Sequence, residues 1–116
     1  MSSIMKPDHN PGCTIIGTVH GRPEKRAELS ALLAGFVTPT RSEPGCIEYQ
    51  FHVSQDNPDA FVFYENFASQ EALDEHLKMP HLAPLLARKD ELLAREIEIR
   101  HLTMLAPYQA QRGTVL

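Results

Sequence analysis

Two cysteines, no tryptophan and no excess of basic charge set the first limits on this chain of 116 residues. Cys13 and Cys46 are too few for a disulfide scaffold and lack metal-ligand spacing, so a reduced, cytoplasmic setting is the default expectation. Eleven Lys and Arg against fifteen Asp and Glu leave a formal charge of -4, which argues against a nucleic-acid partner. No apolar run approaches the roughly 20 residues of a membrane span. The opening MSSIMKPDHNPG lacks the apolar segment of a secretory leader. Motifs for borrowed chemistry are missing too. The chain has no HExxH, EF-hand loop, GxGxxG or phosphate-binding loop, so neither a resident metal nor a nucleotide cofactor is expected. His76 and His81, five residues apart, would stand about 140° apart on a straight helix.

What is present is the composition of an ordinary globular domain, 42% hydrophobic and 22% charged. One unit is expected over residues 13–106, between flexible polar tails at 1–12 and 107–116. Cys13 to His20 is β-branched and reads as a strand. Leu29, Leu32, Leu33, Phe36 and Val37 follow with helical spacing, and Pro39 should end that helix. Cys46 to Val53 alternates, placing Ile47, Tyr49, Phe51 and Val53 on one face and Cys46, Glu48, Gln50 and His52 on the other. Residues 56–59 turn the chain into a further strand, Ala60 to Phe67, making a hairpin. Ser69 caps a helix carrying Leu73 and Leu77. Pro80 interrupts that helix, and Leu82, Leu85, Leu86 and Leu93 mark a second run. Glu96 to Leu105 is the last strand. The order βαββαβ predicts an α+β, ferredoxin-like unit. Its third strand is apolar on both faces, with Phe61 and Phe63 opposed to Val62 and Tyr64. A second copy is therefore expected on the face the helices leave open, as a back-to-back homodimer.

Polar residues able to do chemistry gather on the hairpin and the broken helix: Tyr49, His52, Glu65, Asn66, His76 and His81, with His101 on the last strand. A helix bent at Pro80 can stand off the sheet and leave a pocket. Each residue also has a bland reading. Tyr49 could be core, His52 and His101 could face the dimer partner, and His76 follows the solvated Asp74 and Glu75. A buried Glu65 would need a hydrogen bond or a cation, for which Arg41, His76 and His81 are candidates.

The stretch EPGCIEYQFHVSQDNPDAFVFYENFASQEALDEHLKMPH closely resembles the signature of the antibiotic biosynthesis monooxygenase family of dimeric α-β barrels. The matching positions are Glu43, Gly45, Cys46, Tyr49, Pro58, Phe61, Glu65, Ser69, Ala72, His76 and His81. The resemblance implies a dimeric α-β barrel and a cofactor-independent oxygenase that oxidises a hydroquinone or polycyclic phenol with O₂. Such chemistry asks for a base, a dry aromatic-lined pocket and a donor for the developing oxyanion. Under this reading His76 or His81 is the base, and Tyr49 or Asn66 orients it or the substrate. Phe63 and Phe67 form walls, and His52, Glu65 and His101 complete the substrate site. His81, at the start of a helical run where the dipole disfavours imidazolium, is the expected base; His76 is expected to serve binding and packing. Phe67 stands where many relatives carry Trp, which removes any role for an indole N–H. Val19 and His20 replace the first-strand Asn of haem-degrading relatives, so haem degradation is not implied. Two alternatives accompany this reading: an isomerase or mutarotase of a small sugar-like or phosphorylated substrate, and a non-catalytic small-molecule-binding dimer.

Overall fold

Alternating aromatic and β-branched residues build a four-stranded sheet in the computed structural model, which describes residues 12–106. Its strands are β1 (Cys13–His20), β2 (Cys46–Val53), β3 (Ala60–Phe67) and β4 (Glu98–Leu102). They lie in the order β2-β3-β1-β4, and every pairing is antiparallel. Between β1 and β2 come α1 (Arg26–Ala34) and α2 (Val37–Arg41); between β3 and β4 come α3 (Gln70–His76), α4 (Ala83–Ala87) and α5 (Lys89–Leu92). This is the ferredoxin-like α+β order read from the sequence. Apart from Gly12, the tails expected at 1–12 and 107–116 lie outside the described residues. Among the described residues no helix is long and apolar enough to cross a membrane.

Period-two alternation decides which residues meet the helices. Ile15 and Val19 of β1 and Phe61, Phe63 and Phe67 of β3 pack against Leu29 and Leu33 of α1, Leu73 of α3 and Leu85 of α4. Ile16, Thr18, Val62 and Tyr64 occupy the other face and stay half-buried. Ser69 is extended, and its hydroxyl accepts from the Ala72 amide at 3.0 Å, the cap expected of it. Met79 is extended as well, held out of the helical region by Pro80, so α3 ends and a short 3₁₀ turn over Pro80–Leu82 begins.

Three details differ from the sequence reading. The first helical segment breaks at Gly35, not at Pro39. Pro39 sits in the first turn of α2, where a missing N–H costs nothing because no helical acceptor awaits it. Second, the β2–β3 register shifts between Cys46 and Glu48, so Ile47 is the extra residue of a bulge. Cys46 consequently joins Tyr49 on the core side and is fully buried. Third, β4 is only five residues long, because it pairs with β1 alone over Thr14–Thr18 and all its residues are exposed.

Candidate active site

The site begins with a helix that runs out. His76 is the last residue of α3, one turn beyond Leu73, so both turn toward the sheet while Asp74 and Glu75 stay in solvent. The imidazole is 2% exposed. Its Nδ1 lies 3.0 Å and 3.3 Å from the two carboxylate oxygens of Glu43. A carboxylate only accepts, so Nδ1 carries the hydrogen and Nε2 is left as the acceptor. That Nε2 faces Glu65 Oε1 at 3.6 Å. Aromatic rings fix the imidazole plane: Phe67 lies against it at 4.9 Å between centroids, and Tyr49 meets it edge-on at 5.7 Å.

Glu43 stands at the centre of the polar network. Its Oε2 also lies 3.3 Å from Nε2 of His81, in the 3₁₀ turn after Pro80. The same His81 nitrogen is 3.0 Å from the Thr40 hydroxyl on α2. Arg41, the next residue of α2, donates from Nε to the Tyr49 carbonyl at 2.9 Å and ties this helix to β2.

Glu65 is placed by register: on β3 it stands opposite Ile15 on one side and Tyr49 on the other. It is buried, Oε1 has no hydrogen-bond partner, and Oε2 lies beside Gly17, 3.7 Å from where a Cβ there would stand. Burial, and then the nearby Glu43, push its pKa up to about 8. The Tyr49 hydroxyl is also driven upward, chiefly by burial and then by Glu65, with Thr40 acting against the shift. Both groups are therefore neutral donors at ordinary pH. They open, with His76, into a cavity of about 170 Å³ whose remaining lining includes Phe36, Phe63, Leu82, Leu85, Leu86 and Ile99. A base, two neutral donors and an apolar enclosure can together deprotonate a weak acid and hold the resulting anion.

Comparison with known proteins places this geometry in a family. Residues 13–85 match the family described as antibiotic biosynthesis monooxygenase. The chain belongs to it. A relative in Mycobacterium tuberculosis, named "Putative monooxygenase Rv0793", is 40% identical over 93 residues, covering 80% of this chain and 88% of its own length. The solved structure of Rv0793 superposes with a TM-score of 0.78 at 36% identity, covering 84% of this chain and 99% of that one. PA3566 of Pseudomonas aeruginosa also gives a TM-score of 0.78, at 27% identity, with coverage of 83% and 96%. A Synechocystis protein, sll1783, is 35% identical over 86 residues, or 74% of this chain. This chain spans only 58% of the length of that relative.

In this antibiotic biosynthesis monooxygenase family member, the cleft collects Tyr49, Phe63, Glu65 and His76, and leaves other expected residues elsewhere. Asn66 points to the opposite sheet face, where its Oδ1 accepts from the Thr14 hydroxyl at 3.0 Å. His52 shares that face, is exposed, and donates from Nδ1 to the Val62 carbonyl at 3.1 Å. His101 is exposed on β4 and borders a shallow depression with Cys13, Ser69 and Gln70 instead of the cavity. Phe67 does not line the cavity but backs His76. His81 lies behind His76, off the cavity wall. Glu65, for which Arg41, His76 and His81 are the candidate partners, meets His76.

Two residues of the site had been given no role from sequence: Thr40 and Glu43. Glu43 reads as part of a Glu-Pro-Gly turn, and turns are ordinarily solvated; the signal available was that a buried histidine on the following helix needs an acceptor. The 140° between His76 and His81 expected on a straight helix does not hold. Pro80 removes the straight helix on which that angle depends, and Glu43 arrives from a distant segment. Donor atoms of Glu43, His76 and His81 all lie within 4.8 Å of one another.

Proposed function

We propose that this family member is a monooxygenase that inserts one atom of O₂ into a hydroquinone or phenol without help from an organic cofactor. The observation that carries this reading is the polar wall of the cavity, where His76 Nε2, Glu65 and Tyr49 converge inside an otherwise apolar enclosure. The phenolic hydroxyl would give its proton to His76, oriented through Nδ1 by Glu43. Neutral Glu65 and Tyr49 would donate to the phenolate, a pattern in which raised pKa values keep acids protonated for oxyanion binding. The electron-rich anion passes one electron to O₂, the radicals combine, and loss of water leaves the oxygenated product. For a hydroquinone the balance is one quinol plus one O₂ to one hydroxyquinone plus one water.

Cavity size favours one ring over three. An apolar cavity on the order of 150 Å³ holds a benzene-sized ligand, and this one measures about 170 Å³. Oxygen-electrode assays should show uptake with a single-ring hydroquinone and at least about tenfold lower kcat/KM with a tricyclic phenol. No uptake with any quinol, but a melting shift on adding one, would leave a binding protein. Among the described residues no Lys or Arg lines the cavity, which speaks against a phosphorylated isomerase substrate.

The same reading includes a homodimer formed through the sheet face that bears Ile16, Val62 and Tyr64. Ile16, Val62 and Tyr64 stay half-buried in the single chain, an apolar face that a second copy would cover and that supports a partner there. Sedimentation equilibrium should give about twice the chain mass of 13.0 kDa. A monomer at micromolar concentration would remove the barrel.

A further inference from the structure

We propose that Glu43, His76 and His81 form a binding site for one divalent transition cation of the zinc class. The site uses the side of His76 turned away from the cavity, and a cation on Nδ1 would place the hydrogen on Nε2, so the loaded chain would lack the base that the oxygenase reading needs.

Three donors converge from three segments: the turn after α2, the end of α3 and the 3₁₀ turn beyond Pro80. Glu43 Oε2 lies 3.0 Å from His76 Nδ1 and 3.3 Å from His81 Nε2. With bonds of about 2.0–2.2 Å, tetrahedral donors stand about 3.3–3.6 Å apart. Two of the three separations already fall near that value, and an ion at the centre would replace the hydrogens now shared there. Two imidazoles and one carboxylate suit zinc, cobalt or ferrous ions far better than magnesium or calcium, which prefer all-oxygen cages.

The surroundings match what such sites need beyond their ligands. An imidazole bound through one nitrogen donates its other N–H to a carboxylate or carbonyl, which fixes the ring. For His76 the partner is at hand: with Nδ1 on the ion, Nε2 carries the hydrogen and faces Glu65 Oε1 at 3.6 Å, a small shift from a hydrogen bond. That oxygen is buried and has no hydrogen bond, and as the carbonyl oxygen of a neutral carboxyl it can accept. The Thr40 hydroxyl, 3.0 Å from His81 Nε2, adds an oxygen beside the donor set. Access runs past His81, whose side chain is 19% exposed while Glu43 and His76 are closed in at 8% and 3%.

The test uses the full chain after chelator treatment, titrated with Co²⁺ and followed by visible absorption, then back-titrated with Zn²⁺. One equivalent of Co²⁺ per chain should develop ligand-field bands in the visible range and lose them to Zn²⁺. His81→Ala, at a partly buried position, should weaken Co²⁺ binding at least about 100-fold, and Glu65→Gln about tenfold. His101→Ala should leave binding unchanged. Circular dichroism melts establish that each variant is folded, and His81→Ala and Glu65→Gln suffice should Glu43→Gln fail to fold. Absence of stoichiometric binding, or binding that His81→Ala leaves intact, overturns the site.

Discussion

Replacing His76 with Gln should lower kcat/KM for an accepted quinol by about 10²–10⁴, the range lost when a general base is removed. His81→Ala should cost less than about tenfold. The difference follows from where the two rings sit. His76 borders the cavity, whereas His81 touches Glu43, Thr40 and Phe36 behind it. Glu43→Gln tests the orienting role: an amide can no longer serve as a purely accepting partner for the Nδ1 hydrogen, so kcat should fall while KM holds. Steady-state O₂ uptake in metal-free buffer measures all three. Equal losses for His76→Gln and His81→Ala would sink the assignment of His76.

The second large effect is on stability. The folded state raises the Glu65 carboxyl from 4.5 to about 8, mainly by burial and then by Glu43. Because the folded form holds that proton more tightly than the unfolded form, the associated stability is complete below about pH 4.5. It is lost as pH rises to about 8. The full swing is on the order of 3–5 kcal/mol. Glu65→Gln abolishes the titration, so urea midpoints of variant and wild type should diverge across that window, with the variant ahead above pH 8. The groups facing this carboxyl are Glu43, His76 and Tyr49, so the comparison is made in chelator with those residues intact. Parallel curves from pH 5 to 9 would refute the account.

Much of the architecture was legible because strand and turn chemistry agree locally. Both strands of the hairpin begin and end where alternation and the turn at 56–59 place them. The cap at Ser69 and the break at Pro80 are equally local, and so were visible. His76 was legible as a cleft residue through its spacing from Leu73. Asn66 and His52 were assigned to the cleft against a rule already in hand. Asn66 is the immediate neighbour of Glu65, and His52 follows Phe51, so period two sends each to the far face. His101 has the right parity, facing the same way as Ile15 beside it, but an edge strand leaves it uncovered. Glu43 and Thr40 were out of reach for another reason. Their roles depend on the chain passing twice through one place, at separations of 33 residues to His76 and 41 to His81, and no local period records that.

The extra residue at Ile47 has a mechanical consequence. An ordinary strand returns a side chain to the same face only at even intervals, yet Cys46 and Tyr49 share a face at an interval of three. The bulge therefore works as a phase shifter between two parts of one strand. Downstream, the hairpin keeps Tyr49 turned to the cavity; upstream, the turn holding Glu43 is set by about 3.3 Å of additional chain. Length changes on the two sides are not equivalent. A residue lost from the hairpin arm inverts Tyr49 and everything around it, while one lost at the bulge spends slack and shortens the tether by which Glu43 reaches the histidines.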